Sequence, residues 1–288
     1  MMTNNQAIEQ ADNRFPNMPQ NTAIPTDNVN QATTAIEAQR AVAEAQGKLV
    51  IAKKFPRNEF DAYRRAMEAC QRPKLAEKAF YQFSRGGSSV SGPTIRFAEE
   101  LARCWGNIDY GIKELSQDDG KSEMQAYAWD METNTISTQN FTNPHMREVG
   151  KQSVKLTSQR DIYENNANMG ARRLRSRILA VLPSDFVEEA IEMCKRTLAG
   201  KSDVPLIDKV KKMVTGFSKY GVTREMIEKR LGHTIEAVSP DEFVEYVGIF
   251  NSLKDGMSKV AEWFDAPKEA NETTAAIDAA MNAEDSKK

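Results

Sequence analysis

Residues 172–177 read Arg-Arg-Leu-Arg-Ser-Arg and lie in a helical pattern that runs from about Ser158 to Leu182. Pro183 follows and is a typical helix stop. With Leu174 on the inner face, a step of about 100° per residue predicts one apolar stripe along this helix. The predicted stripe consists of Tyr163, Ala167, Gly170, Leu174, Ile178 and Val181.

The four arginines of this run flank the stripe. Arg173 and Arg177 fall on one side, and Arg172 and Arg175 fall on the other. From residue 144 to residue 185 the chain has only four acidic residues, so few carboxylates are near in sequence to pair with these cations. The helix therefore predicts an anion-binding surface, although pairing with carboxylates from elsewhere in the fold is the alternative.

Three extended runs precede the helix, at Asn107–Ser116, Lys121–Asp130 and Thr135–Thr142. The second run alternates small or apolar residues with polar or aromatic ones, the period of a half-buried strand. Asp119-Gly120 is a hairpin signal, and links this short make only antiparallel pairs. The chain is thus predicted to be an α+β protein with a three-stranded antiparallel meander followed by the long basic helix.

Composition predicts four segments. Residues 1–47 are rich in Asn, Gln and Thr and are expected to be a flexible tail with at most a marginal helix; residues 48–200 form the core domain. Residues 201–267 are expected to be a separate small helical bundle, in which Ser239-Pro240-Asp241-Glu242 is a helix start. Residues 268–288 are an acidic tail, expected to be disordered.

Charge is distributed unevenly. Residues 48–180 contain 22 basic and 16 acidic residues, whereas the whole chain has a formal net charge of -2. A basic middle between acidic ends favours a polyanionic partner for the middle. Three widely spaced cysteines, and the absence of an apolar run near the roughly 20 residues that span a bilayer, predict a cytoplasmic protein without a membrane segment.

A nucleic-acid surface requires several cations along one groove. The candidate phosphate-binding residues are Lys113, Lys121, Arg147, Lys151, Lys155, Arg160, Arg172, Arg173, Arg175 and Arg177. Tyr127 and Trp129 share one strand face and are candidates for stacking on bases, with packing across strands as the alternative. The segment Arg85–Gly92 lacks the Gly-Lys-Ser/Thr ending of a phosphate-binding loop and is predicted to be a flexible connector.

The sequence predicts no catalytic residue, no metal site and no cofactor. His145 and His233 have no Cys or His at metal-ligand spacing. A metal-dependent nuclease stays open as an alternative, because its carboxylates would be found among Asp109, Glu123, Asp130 and Glu132. A virion or assembly protein with a basic face is a third possibility.

Two blocks resemble the phage single-strand annealing proteins of the RecT, Red-beta and Erf superfamily. The first block is Gly92–Arg103 followed by Trp105-Gly106-Asn107-Ile108, and the second runs from Arg160-Asp161-Ile162-Tyr163-Glu164 through Asn168–Arg175 to Leu182-Pro183. The similarity spans about residues 48–200.

The resemblance implies a β-β-β-α annealing core that assembles into homo-oligomeric rings or helical filaments. Single-stranded DNA would lie along a shared basic groove with its bases exposed, and no ATP or metal would be consumed. The resemblance also implies partners, namely a phage exonuclease and the host single-strand-binding protein, contacted through the C-terminal helical module.

Overall fold

The computed structural model describes residues 31–85, 88–149, 152–200 and 204–265, and it is an α+β structure. Contacts divide the chain into two units, one up to Ile51 and one from Ala52 onward. None of the described helices combines the length and the apolar character that crossing a membrane requires.

Nine α-helices occur among the described residues: α1 Gln31–Lys54, α2 Glu59–Cys70, α3 Pro73–Ala76, α4 Ile95–Trp105, α5 Gln159–Leu179, α6 Ser184–Ala199, α7 Leu206–Ser218, α8 Arg224–Leu231 and α9 Pro240–Lys254. The strands are β1 Phe80–Arg85, β2 Ser88–Pro93, β3 Ile108–Asp118, β4 Lys121–Asp130, β5 Thr135–Pro144, β6 Met146–Val149 and β7 Gln152–Lys155.

The predicted meander is confirmed. Its strand order is β3-β4-β5, with antiparallel pairing throughout. Gly120 follows β3 with a φ of +89°, and Asn134 precedes β5 with a φ of +55°; both lie in the left-handed region that tight turns require. The two turns keep each strand next to its sequence neighbour.

Helix α5 packs on one side of this sheet, which we call the inner face. Ala126 and Ala128 are fully buried there. A Cβ atom added to Gly170 of α5 would lie 2.7 Å from Cδ1 of Ile112, so the helix and the sheet are in direct contact at this point. The opposite side, the outer face, carries the alternate residues of the strands, including Lys113, Tyr127 and Trp129.

A buried polar network fixes α5 on the inner face. Asn166 of α5 donates to Ser122 Oγ at 3.0 Å and accepts from Asn143 Nδ2 at 2.7 Å. Ser122 Oγ also lies 2.8 Å from Nε2 of His145, which is 3% exposed. Because these bonds join α5 to β4 and β5, they set the position of the helix along the sheet.

The predicted stripe of α5 is partly wrong. Gly170, Leu174, Ile178 and Val181 are buried as predicted, but Tyr163 is 70% exposed. Ile162 and the polar Asn166 face the sheet in the first half of the helix. Asn166 is satisfied by partners from distant strands, and the apolar pattern of the helix alone does not indicate such partners.

Two segments that were not predicted as strands are β-hairpins. Arg85–Gly92, the predicted connector, lies largely in the β1–β2 hairpin, in which Phe83 pairs with Val90. The segment that carries Arg147 and Lys155 forms the β6–β7 hairpin. Gly92 and Pro93 of β2 have low strand propensity, and β1 packs against α9, so tertiary contacts contribute to the first hairpin.

The predicted segment boundaries also differ from the structure. Helix α1 crosses residue 48, where the core was expected to begin, whereas residues 1–30 and the tail at 268–288 lie outside the described residues. One buried cluster extends from Ala62 to Phe264, so residue 200 does not separate two cores. The helix start at Ser239 is confirmed, because its hydroxyl accepts from the N–H of Glu242.

The Asn166 network yields a stability prediction. Replacing Asn166 with Ala leaves buried polar groups of Ser122 and Asn143 without this partner, at a cost of roughly 1–3 kcal/mol. Asn168→Ala, an exposed position on the same helix, should change stability by less than about 0.5 kcal/mol. Urea denaturation measures both, and equal stability of the two variants would contradict the structural role of the network.

Candidate nucleic-acid interface

The four arginines of residues 172–177 lie in the second half of α5. Arg172 and Arg175 point to the same side, as predicted, and both meet the turn that follows α9. Arg172 donates from Nη2 to the carbonyl oxygens of Asp255 and Gly256, at 3.1 and 3.2 Å. These are neutral acceptors, so the guanidinium charge is not neutralised by them.

Arg175 is held between a ring and a sulfur atom. Its Cζ lies 4.6 Å from the ring centroid of Tyr81, a residue of β1. Its Nη1 lies 3.5 Å from Sδ of Met257. Because stacking uses the face of the guanidinium, the N–H groups at its edge are left to point elsewhere.

Arg173 lies on the other side of α5, toward β5. Its Cζ is 4.2 Å from the ring centroid of Phe141, and its Nη1 donates to the carbonyl oxygen of Met169 at 2.9 Å. Arg177 is half-buried, and its buried Nε has no hydrogen-bond partner in the described structure. Both side chains therefore keep their full charge close to the protein surface.

Within the described residues, no carboxylate forms an ion pair with any of these four arginines. Several other arginines of the chain do pair with carboxylates, namely Arg57, Arg64, Arg72, Arg103, Arg224 and Arg230, whereas Arg65 donates to a backbone carbonyl as Arg172 does. Carboxylates from elsewhere in the described part of the fold therefore do not neutralise the arginines at 172–177. The second half of α5 thus carries four guanidinium groups, two on each side of the helix, that no described carboxylate neutralises.

The remaining predicted cations are not gathered around this group. Lys113 and Lys121 lie on the outer face, because every second residue of a strand points to the same side. The Nζ atom of Lys121 lies 3.6 Å from Oε1 of Glu123, and Nζ of Lys155 lies 3.3 Å from Oδ1 of Asp119, so both lysines have a carboxylate neighbour. Lys113 and Lys121 therefore belong to the same β-sheet and helix unit as the arginines but lie on its opposite face, and phosphate binding by them stays a prediction.

Arg147 and Arg160 are exposed and lie at the opposite end of the β-sheet and helix unit from the four arginines. Arg147 is on β6, and Arg160 is in the first turn of α5. From Arg160 to Arg172 the helix rises about 18 Å, at about 1.5 Å per residue. Lys151 lies outside the described residues.

Tyr127 and Trp129 share the outer face, as predicted. A Cβ atom added to Gly111 would lie 3.2 Å from Cε1 of Tyr127, so the ring covers that glycine, and the ammonium of Lys113 lies 4.8 Å from the ring centroid. Trp129 donates from Nε1 to Oδ1 of Asn134 at 3.1 Å. Tyr127 thus packs across to β3, Trp129 is hydrogen-bonded to the turn before β5, and base stacking by either ring stays a prediction.

The carboxylates considered for a nuclease do not converge. Asp130 and Glu132 both bind the buried guanidinium of Arg57, whose side chain is 5% exposed. Glu123 accepts from the hydroxyl of Thr142 on the outer face, whereas Asp130 is on the inner face. Among the described residues, no cluster of three or more Asp, Glu, His or Cys side chains has metal-binding geometry.

Glu132 shows how these acidic groups are used. Burial alone would raise its pKa, but hydrogen bonds from Asn107 and Arg57 bring the pKa below its ordinary value. The charged carboxylate therefore joins the residues before α2 to the turn between β4 and β5. This arrangement stabilises the fold, and it holds Glu132 in an ion pair away from the four arginines.

Sequence reasoning missed the residues that surround the arginines. Tyr81 and the turn at 255–257 were not singled out, because each contacts the arginines only through the folded chain. Met257, for example, is 82 residues from Arg175. Phe141 lies in a predicted strand, but its position there did not indicate that its ring would meet Arg173.

Comparisons with protein-family models, with curated proteins and with solved structures gave no match to this chain.

The packing of Arg175 leads to a prediction that separates its structural contribution from any role in binding. Arg175→Ala removes the contact with Tyr81 and the packing of the side-chain stem, at a cost of about 1–2 kcal/mol. Arg160→Ala, an exposed arginine on the same helix, should cost less than about 0.5 kcal/mol. Urea unfolding checks both, and an Arg175→Ala variant as stable as Arg160→Ala would show that the stacking contributes nothing.

Proposed function

We propose that this chain is a single-stranded DNA binding and annealing protein that promotes phage or prophage recombination without ATP or a metal ion. One observation carries the proposal: the four arginines at 172–177 have no carboxylate partner among the described residues. The β3–β5 meander with α5 is then the annealing core. The sequence resemblance to the RecT, Red-beta and Erf superfamily supports the same function.

The chemistry of annealing suits such a surface. A protein that anneals DNA must hold the sugar-phosphate backbone and leave the Watson-Crick edges of the bases free for a second strand. Arginine binds phosphate through two parallel N–H bonds and does not lose its charge near neutral pH. Arg173 and Arg175, which are stacked on rings, offer N–H edges in a fixed orientation.

Partners follow from the resemblance. A homo-oligomer, as a ring or filament, would align the arginine helices of successive subunits along one DNA strand. A phage exonuclease would supply the single strand, and it or the host single-strand-binding protein would contact residues 201–267. The cytoplasm of a bacterial host is the location that this function requires.

The placement of the carboxylates favours annealing over the nuclease alternative. Two of the four candidate carboxylates are held by Arg57, and the others lie on the outer face, away from the arginines. A virion or assembly protein would also have a basic face, but it would have no reason to speed the pairing of complementary strands. Activity measurements therefore separate the three functions.

Annealing in the presence of EDTA is the direct test. We expect the purified chain to accelerate the pairing of two complementary, dye-labelled oligonucleotides, with no ATP and with EDTA in excess over any metal. Cleavage of the strands after addition of Mg²⁺ or Mn²⁺ would identify a nuclease. A chain that neither binds single-stranded DNA nor anneals it would contradict our proposal and favour the assembly function.

Salt dependence tests the arginines individually. For single-stranded DNA, each phosphate contact contributes about 0.7 to the slope of log K against log salt concentration, so Arg173→Gln should lower that slope by about 0.7. Arg64→Gln is the matched control, because it removes the same charge from α2, where Arg64 pairs with Glu68. An unchanged slope for Arg173→Gln would remove that residue from the interface.

Neutral substitutions are preferable to charge reversal at Arg172 and Arg175. A Glu at residue 172 would place a carboxylate beside the carbonyl oxygens of Asp255 and Gly256, which repel it. Lost binding would then report a displaced turn as well as lost phosphate contacts. Gln keeps a hydrogen-bond donor and adds no negative charge.

A further inference from the structure

Strand β5 forms an edge of the meander and has no charged residue. Residues 135–144 read Thr-Ile-Ser-Thr-Gln-Asn-Phe-Thr-Asn-Pro. In the described structure β5 pairs with β4 on one edge, and no strand pairs with its other edge. Seven of the ten residues are exposed, including Ile136 at 58%. The edge is therefore long, regular and accessible.

The opposite edge of the same sheet is different. Strand β3 carries Asp109, Lys113, Glu114 and Asp118, and its register is interrupted between Glu114 and Ser116. Charges and bulges are the devices by which natural proteins prevent an edge strand from pairing with another chain. The meander is protected in this way at β3 but not at β5, where only the final Pro144 interrupts pairing.

We propose that β5 is an assembly edge, which pairs in antiparallel fashion with β5 of a second copy of this chain and extends the sheet to six strands. A second copy is the occupant that the composition favours. Antiparallel pairing of a strand with itself places its own side chains opposite one another, and a strand without charges does this without like-charge repulsion. Thr, Ser, Asn and Gln side chains can then pair by hydrogen bonds across the junction.

This pairing has a geometric consequence for the arginines. Two identical strands that pair edge to edge are related by a two-fold axis perpendicular to the sheet, so both copies of α5 lie on the same side. Arg173 lies over Phe141 of β5, so the Arg173 side chains of the two copies lie on the same side of the joined sheet. This part rests on the proposed function: the pair closes after two subunits, so a ring or filament would be built from such pairs through a second interface, and both subunits of a pair would contribute arginines to the same DNA-binding side.

Charge complementation tests the edge without any DNA. Thr138 and Asn140 are exposed and lie near the middle of β5 on the outer face. We expect the wild-type chain to sediment as a dimer or larger species, and the variants T138K/N140K and T138D/N140D to associate at least tenfold more weakly. Mixing the two variants in equal amounts should restore association, because lysines then oppose aspartates. T138Q/N140Q is the neutral control and should associate like the wild type.

A wild-type chain that stays monomeric at tens of micromolar, or charged variants that associate as tightly as the wild type, would overturn the proposal. Hydrogen exchange on the unmodified chain gives a second readout that does not depend on how the variants fold. Amides of residues 135–144 should gain at least tenfold protection as protein concentration rises, whereas amides of β3 should not. Equal behaviour of the two edges would also reject the assembly edge. Since neither measurement uses DNA, failed DNA binding by a chain that pairs through β5 would reject only the proposed function.

Discussion

The contact between α5 and the inner face of the meander is the constraint on which the described fold depends. Ala126 and Ala128 leave room for the helix, Gly170 lets it approach Ile112, and Asn166 joins it to β4 and β5 by hydrogen bonds. Larger side chains at these positions would separate the two layers. Because this contact fixes the direction and the rotation of α5, it also fixes where the four arginines point.

Sequence periodicity was enough to predict the meander and the helix α5 that packs on it, but not the two short hairpins outside them. Strand alternation and the Asp-Gly turn gave the meander, and the spacing around Leu174 gave the second half of α5. The first half of α5 was predicted less well, because the polar Asn166 faces the sheet there. Its burial is possible only because Ser122 and Asn143 of distant strands form hydrogen bonds with it. The two short hairpins were also missed. Strand β2 contains Gly92 and Pro93, which have low strand propensity, and β1 packs against α9, a contact that the local pattern does not indicate.

In the candidate site too, periodicity predicted some features, and contacts between distant segments determined the others. The two sides of α5 on which the arginines fall were predictable, because helical geometry alone determines them. The groups that meet the arginines were not, since Tyr81, Phe141 and the turn after α9 come from three separate segments. The separation of Lys113 and Lys121 from the arginines was in principle predictable from strand alternation. It was missed because charge was counted by segment and not by sheet face.

The internal contacts of the arginines are compatible with a role in binding phosphate. A long side chain that is mobile before binding loses conformational entropy when it is fixed, and a side chain that is already stacked on a ring loses less. Arg173 and Arg175 are held by Phe141 and Tyr81, and Arg172 is held by two neutral carbonyl oxygens. None of these contacts cancels a charge. A lysine at the same positions would lack the planar group that stacks on a ring while presenting parallel N–H donors. At residues 172, 173 and 175 the fold thus orients each arginine side chain, and no carboxylate among the described residues neutralises its charge.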